Sequence, residues 1–414
     1  MAFPVVAEDI AAVVGLARRE GLRVAAQATG HGAASLGSLE DTILVRTSRM
    51  VGVHIDPSTR RARVRAGTLW QDVVPAAAEH GLVPLAGSAA DIGVVGYTLG
   101  GGLGWLGRRY GLAANSVIGL ELVTADGQIL RADRDHEPDL FWALRGGSGN
   151  FGVVTAIEFT LYPVDEIYGG VLFWDMERAA EVLTAWRDWT RTLPDEVTSV
   201  GRLLRLPPLP EVPEPLRGRD LVVVEAACLT DPAAGARLLQ PLRELGPEID
   251  TFATMPPMGL QAIHMDPDTP MPFVGDGQLL AELPPAAIEA LIQAAGPGSG
   301  TTLLSVEIRH LGGALARATP EHGVLASLEA GFALFAIGLV TDSEVRTGVE
   351  AEVRTVREAL RPWDTGGAFL NFAERRVHPV CLFGPERARR LQAVKARYDP
   401  DDLFQAKQPV PPDR

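Results

Sequence analysis

Between Gly87 and Gly111 the chain reads GSAADIGVVGYTLGGGLGWLGRRYG. Glycine at this density is entropically costly, so a folded protein keeps it where backbone must approach another group closely. The usual partners are a phosphate or a flat ring system held by main-chain N–H groups. No Gly-Lys-Ser/Thr follows the run, so it is not a P-loop. The third glycine of the dinucleotide fingerprint falls on Trp105. Taken alone, the stretch reads either as a glycine-rich surface loop or as a cofactor cradle of unusual spacing. Two further clusters, Thr29-Gly30-His31-Gly32-Ala33 and Arg145–Gly152 (RGGSGNFG), lie nearby in sequence. All three fall within the first 152 residues, each beside a strand or helix end. A purely structural origin would scatter them along the chain; their concentration favours a cofactor-binding first domain.

The elements that must carry these clusters can be read from periodicity. Residues 7–20 form an amphipathic helix stopped before Gly21, followed by a strand over 23–27 that runs straight into the His31 loop. A strand is expected over 43–45, a hairpin over 51–55 and 61–66, and a helix over 69–80 ending at Gly81. A second hairpin, 117–124 with 128–132, turns at Asp126-Gly127. A helical turn over 139–144 leads into the third glycine cluster, and a strand over 153–162 leaves it. From about Tyr168 glycine thins and proline rises, most of all in 207–215. Strand-like runs (171–174, 221–228, 303–311, 333–339) alternate there with helix-like ones (176–192, 232–246, 285–295, 347–360), a second α+β domain. A basic amphipathic helix over 386–398 closes the pattern, its arginines best read as a solvated face.

The chain has 414 residues, enough for two or three domains, and its formal charge of −14 argues against nucleic acid or an anionic membrane as partner. Cys228 and Cys381 are its two cysteines; they imply neither a disulfide framework nor a paired-cysteine metal site. No run reaches the 18 apolar residues of a membrane span, and MAFPVVAEDI has no signal-peptide pattern. A cytoplasmic protein without metal is the expectation.

The ordered motifs carry more than any one of them. They are Gly30-His31-Gly32; Val64–Gly67 with Trp70; Gly93-x-x-Gly96-x-x-x-Gly100-Gly101-Gly102-x-Gly104; Tyr110-Gly111-Leu112-x-x-Asn115; Val123–Gly127; Asp139–Gly147; and Asn150–Thr155. With Asn371-Phe372, Lys395-x-x-Tyr398-Asp399-Pro400-x-Asp402-x-Phe404 and Gln408, the set resembles the FAD-linked, berberine-bridge-enzyme-like oxidases of the vanillyl-alcohol oxidase superfamily, over nearly the whole chain. The resemblance implies an α+β fold: a PCMH-type FAD-binding domain over 1–165, completed by 384–414, and a substrate domain over 166–383 with a mainly antiparallel sheet covered by helices. It also implies that Thr29, Gly30, His31, Gly32 and Ala33 take the FAD pyrophosphate, with His31 bonded to the flavin's 8α methyl carbon. A neutral imidazole nitrogen is the nucleophile such a link needs.

Many members of the family attach the flavin a second time through a cysteine; the matching position here is Ala89. A methyl group cannot form that thioether, so a single link is expected, with a lower flavin potential and a more open site. Gly87, Ser88, Asp91 and Ile92 are expected beside the isoalloxazine and pyrophosphate. Gly96, Gly101 and Gly102 would let backbone approach the cofactor, Gly152 and Val154 would lie toward the adenine, and Asn371 and Gln408 would face the flavin or brace its domain. The bulky Ile92 matches a position tied to oxygen access and leans toward slow reaction with oxygen. Two departures stand out: the chain starts almost at its first helix, leaving the first strand pair open to being incomplete, and the residue after Asn371 is Phe372 where many members carry a tyrosine base.

Such a flavin accepts a hydride from a carbon bearing OH or an amine. With Phe372 lacking a proton to exchange, the acid–base candidates are Tyr97, in the glycine run, and Glu307, Arg309 and His310, which resemble a Glu-x-Arg-His run of bacterial relatives. Strand alternation puts Glu307 and Arg309 on one face and His310 on the other. The bland alternative is an ion pair between the first two and a satisfied core histidine. The resulting expectation is a small-molecule oxidoreductase acting on a secondary-metabolite-like or sugar-like substrate, its rim shaped by 207–215, with oxygen or another acceptor taking the electrons. The alternative is a flavin-binding protein without turnover, in a sequestering or resistance role.

Overall fold

The computed structural model describes residues 1–267 and 271–413. The first helix, Ala7–Glu20, packs Ile10, Val14 and Ala17 at spacings of four and three onto a two-stranded parallel sheet, Arg23–Gln27 with Thr42–Arg46. It ends at Gly21, whose φ of 65° is the left-handed cap that glycine adopts without strain. Beside it lies a five-stranded antiparallel sheet in the order Val53–Asp56, Arg61–Arg65, Val153–Thr160, Val117–Val123, Ile129–Asp133. The two hairpins read from sequence are both present, with the Asp-Gly turn where expected.

The C-terminal segment returns to this body. Helix Pro385–Tyr398 buries Leu391 and Val394 in the same core as the five-stranded sheet. Beyond it, Val24 N–H donates to Leu403 O at 2.9 Å and Gln405 N–H donates to Val24 O at 2.8 Å, so the tail extends the edge of the parallel pair.

The middle of the chain forms an eight-stranded antiparallel sheet. Its two faces follow the period of two. Leu172, Trp174, Val222, Val224, Val306, Ile308, Leu334 and Ala336 turn to one side and pack against helices Ala179–Thr190, Pro232–Arg243, Pro285–Ala295 and Ser343–Ala359. The intervening Val171, Phe173, Val200, Leu221 and Val223 turn to the other and meet Val83, Leu85, Trp105 and Leu106 of the first body. The polar residues that share this second face, Arg202, Glu225, Glu307 and Arg309, are therefore held at the junction of the two bodies.

Two strands of this sheet escape a reading by pattern, and glycine is the reason. In Val197–Arg205 a Cβ on Gly201 would lie 2.7 Å from the Trp186 ring, so glycine is what lets the helix sit on the strand. In Phe273–Leu280, Gly275 and Gly277 face Ile337 and Phe372 at 2.5 and 2.7 Å in the same sense. No helix among the described residues is long and apolar enough to cross a membrane.

Candidate active site

A cavity of about 530 Å³ opens between the two bodies. That is within the range of ligand-binding pockets, roughly 300–1,000 Å³. Its first-body wall is built almost wholly from backbone-rich segments: Thr29 to Ala33, Gly87 to Gly96, Ser148-Gly149 and Gly152 to Val154. Positions 96 and 149 are glycines at which an added Cβ would meet no protein atom within 4 Å, so the space beside their backbone is left open to a ligand. His31 is exposed on this wall and its ring lies 5.7 Å from that of Phe273 across the cavity. Lys407, from the C-terminal tail, closes over Gly32 and donates from Nζ to Glu374 at 3.0 Å.

The opposite wall comes from the eight-stranded sheet. Phe335, Ile337 and Leu339 alternate inward along one strand, and Phe372 stacks on Phe335 with ring centres 4.9 Å apart. Next to this apolar patch sits a cluster of buried charges. Arg202 and Glu307 are direct cross-strand partners, and Arg202 Nη1 donates to Glu225 Oε1 at 3.1 Å. Arg309 Nε donates to Glu307 Oε1 at 2.7 Å, and its guanidinium lies 5.1 Å above the Phe372 ring. His264 lies between the two carboxylates, with Nδ1 2.6 Å from Glu225 Oε2 and Nε2 2.9 Å from Glu307 Oε2. Burial opposes charge on His264, Glu307 and Arg309. For Glu307 the guanidinium of Arg309 and the imidazole of His264 prevail and hold its carboxyl well below the usual carboxylate range. For His264 burial is likewise overcome, by Glu225 first, and its pKa is raised to about 9.

The sequence matches known families at both ends of the chain. Residues 1–133 match the FAD binding domain model, and residues 368–411 match the model described as berberine and berberine like. The chain is an FAD-linked oxidoreductase that carries an FAD-binding domain at its N-terminal end and a berberine-like domain at its C-terminal end. It is 28% identical to (R)-6-hydroxynicotine oxidase of Paenarthrobacter nicotinovorans over 98% of this chain and 90% of that one. It is 26% identical to YgaK, an uncharacterized FAD-linked oxidoreductase of Bacillus subtilis, over 92% and 84%. Among solved structures, 6-hydroxy-D-nicotine oxidase from Arthrobacter nicotinovorans superposes with a TM-score of 0.86 at 25% identity, over 99% of this chain and 91% of that one. Physcomitrella patens BBE-like 1 shares the fold, with a TM-score of 0.86 at 19% identity over 100% and 91%.

In this oxidoreductase the cavity gathers Thr29, Gly30, His31, Gly32, Ala33, Gly87, Ser88, Asp91, Ile92, Gly96, Gly152, Val154 and Asn371 from the residues expected at the cofactor. Ala89 lines it too, whereas Cys228 is buried in the core beneath the helices and Cys381 is exposed; neither thiol lines the cavity. A glycine-lined wall, an exposed histidine and no neighbouring thiol fit FAD with at most one covalent link.

Several expectations are corrected. Gly101 and Gly102 do not line the cavity. Gly101 has φ 116° and a Cβ there would strike Leu325 and Phe369; Gly102 has φ 76° and abuts Ala113 and the Tyr97 ring. They let the chain turn and pack rather than approach a cofactor. Of the two roles expected for Gln408 the structure favours bracing: its buried side chain accepts from Val377 N and donates to Ala373 O and Arg375 O, holding the tail. His310 points away from the cavity, toward Arg108 at 3.1 Å and the Phe332 ring, and burial pushes its pKa down to about 3. The 207–215 loop does not reach the cavity.

Tyr97 is a wall residue rather than an acid–base group. Its ring is wedged against Gly87 and Gly102 and meets Trp70 edge-on. The hydroxyl is buried without a hydrogen-bond partner among the described residues, and burial raises its pKa far above neutrality. Sequence reasoning missed Arg202, Glu225, His264 and Lys407. Glu225 sits on a strand whose other residues on that face, Leu221, Val223 and Ala227, are apolar, and Arg202 lies between Val200 and Leu204; a charge at such a position is the signal that marks them. His264 carries no such signal, since a short helical turn, Leu260–Ile263, places it.

Proposed function

We propose that this oxidoreductase takes a hydride from a C–N or C–OH carbon of a small molecule, in the cavity between 1–165 with 384–414 and 166–383, with FAD held through His31 alone. The observation that supports it is the meeting, in one cavity, of the glycine-lined wall around His31 and the ionised Glu307–Arg309 pair. When bound, FAD supplies the two-electron acceptor. The chain supplies positioning. Thr29 to Ala33 and Lys407 offer main-chain N–H groups and a cation for the pyrophosphate. Phe335, Phe372 and Ile337 offer an apolar face for the substrate body. Glu307 accepts a hydrogen bond from the substrate's N–H or O–H.

The low pKa of Glu307 narrows the substrate. A general base works best with a pKa near the working pH. A carboxylate held well below its usual range orients a donor but removes an alcohol proton poorly. An amine oxidised from its neutral form needs no such removal, so amines are the favoured class. The full-length similarity to (R)-6-hydroxynicotine oxidase leans the same way. Ile92 on the flavin-side wall keeps open a dehydrogenase that passes electrons to an acceptor other than oxygen.

The test is anaerobic bleaching of the bound flavin by a substrate panel that sets primary and secondary amines against sugars and simple alcohols. Bleaching by an amine, slowed at least tenfold by Glu307→Gln, is expected. Bleaching by alcohols alone, or bleaching indifferent to Glu307→Gln, overturns the reading. Mixing the reduced protein with air then separates oxidase from dehydrogenase by the reoxidation rate.

A further inference from the structure

We infer that His264 is a positioning residue of the active site: as an imidazolium it bridges Glu225 to Glu307 and fixes the Glu307 carboxylate on the cavity wall. This rests on the reading of Glu307 as the carboxylate that orients the substrate.

The geometry of the ring carries the inference. Both nitrogens face carboxylate oxygens, Nδ1 at 2.6 Å from Glu225 and Nε2 at 2.9 Å from Glu307. A neutral imidazole has one N–H and one lone pair. It satisfies one of these contacts and turns a lone pair toward an anion at the other. Only the doubly protonated ring donates to both. Nε2 also lies within hydrogen-bond reach of Arg309 Nη2, at 3.4 Å; its shorter contact, 2.9 Å to Glu307 Oε2, is the ion pair that a protonated ring makes.

The charge balance agrees. The groups facing the ring come from four elements: Arg202 on strand Val197–Arg205, Glu225 on Asp220–Cys228, Glu307 and Arg309 on Ser305–His310, and Asp266 just beyond the ring itself. Tyr97, on the facing wall, is neutral. Arg202 and Arg309 are two cations against the three carboxylates of Glu225, Glu307 and Asp266. With His264 protonated the count closes at three against three. Buried charges persist when they are paired and hydrogen-bonded, and the exposure of Glu225 and Glu307 is 0% and 2%.

The ring is also separable from the fold around it. The His264 carbonyl accepts from Arg202 Nη1 at 2.9 Å, so the residue is anchored through its main chain whatever its side chain. Glu225 keeps Arg202, and Glu307 keeps Arg309, when the imidazole is removed. What His264 adds is the second tie on Glu307, the one to Oε2. With Oε1 taken by Arg309 and Oε2 by His264, the carboxylate plane is fixed and the remaining lone pairs are left for a substrate. Losing the second tie leaves Glu307 pivoting on a single bond and easier to protonate.

The inference is tested without a substrate, on FAD-loaded protein, by nuclear magnetic resonance. In protein labelled with 15N-histidine, the His264 signals, assigned by their loss in His264→Gln, are expected to show both ring nitrogens protonated at pH 7.5. A neutral tautomer at that pH overturns the inference. In protein labelled at the glutamate carboxyl carbons, with Glu307 assigned through Glu307→Gln, the Glu307 titration midpoint is expected to rise in His264→Gln by about one pH unit or more, a tenfold change in proton affinity. An unchanged midpoint overturns the inference, because a merely structural histidine would not move it. Should His264→Gln fail to hold FAD, Glu225→Gln serves in its place. It removes the other end of the bridge, and the His264 midpoint must then fall; an unmoved His264 midpoint overturns the inference. These readouts judge the bridge alone, whereas flavin bleaching judges the proposed reaction.

Discussion

Lys395, on the last helix, and Asp399, the residue just past its end, form an ion pair of 2.5 Å in which both side chains are completely buried. Lys395 Nζ also donates to Asn150 O at 2.8 Å, and Asp399 accepts from the N–H groups of Leu403 and Phe404 at 2.7 and 2.9 Å. The pair thus joins three things: the glycine cluster after Arg145, the last helix and the tail strand that pairs with Val24. The glycine cluster and the tail reach the cofactor side of the cavity, through Gly149, Gly152 and Phe404.

Breaking that pair on one side leaves a buried charge without a partner, which costs about 3–5 kcal/mol. Lys395→Met is therefore expected to lower the unfolding free energy by that amount and to release FAD at a lower temperature than the wild type. Paired with Asp399→Asn, which removes the charge and keeps an oxygen acceptor for the Leu403 and Phe404 N–H groups, the loss should be smaller, since no lone charge remains. Calorimetry of the two variants checks this; equal losses in the single and double variants would show that the pair's charge is not what matters.

The glycine run gives a second, divided prediction. A Cβ on Gly104 would sit 1.9 Å from the backbone oxygen of Ala86, which cannot yield as a side chain can. Overpacking of this kind costs roughly 1–3 kcal/mol or more. Gly104→Ala should destabilise the apoprotein. Gly96→Ala, inside helix Val94–Leu99, meets no atom of the described residues beyond its own helix and chain neighbours, so it should raise apoprotein stability slightly and weaken FAD retention instead. Melting curves with and without FAD separate the two, and a Gly96→Ala variant that retains FAD as the wild type does would remove Gly96 from the cradle.

That division also marks how far the sequence could be read. The helices and hairpins of the first body follow from periodicity and turn residues, and helix 7–20 is found at those residues. The His31 loop and the stretch from Gly87 to Gly96 reach the cavity as expected. What the run's glycines do individually was not legible, because a glycine facing a ligand and a glycine facing Phe369 look alike in sequence. The charged wall was half legible. Alternation placed Glu307 and Arg309 together and turned His310 away, since a period of two needs no tertiary information. Their partners Arg202, Glu225 and His264 lie 43 to 105 residues from Glu307 in the chain; the register of the sheet brings the first two into contact, and the turn after Leu260–Ile263 brings the third.

His31 offers a test of attachment that leaves the fold aside. Its side chain is exposed and, among the described residues, its ring meets no aromatic ring but that of Phe273, so His31→Ala should not change apoprotein stability by more than about 0.5 kcal/mol. Precipitated in acid, wild-type protein is expected to keep its yellow colour, and His31→Ala to lose it to the supernatant. Free flavin released entirely from the wild type would overturn the covalent link, and with it the single-attachment reading of Ala89.

The charged wall makes stability depend on pH in a direction that can be worked out. His264 has a folded-state pKa of about 9, above the value of about 6.5 for an unfolded histidine. A raised pKa contributes stability that is fully present below the unfolded value and is lost as pH rises through the folded one. Glu307 has the opposite sign: its depressed pKa contributes fully above the unfolded carboxylate value, about 4.3, and fades only in acid. Between pH 6 and 9.5, then, only the histidine contribution changes. Wild type should exceed His264→Gln in unfolding free energy by the largest margin near pH 6. That margin, on the order of 3 kcal/mol, should shrink steadily and be largely gone by pH 9.5. Denaturant unfolding of both proteins at pH 6, 7.5 and 9.5 measures it. A margin that stays constant across this range would mean that the ring packs without carrying charge, and Glu307 would then have to be held by Arg309 alone.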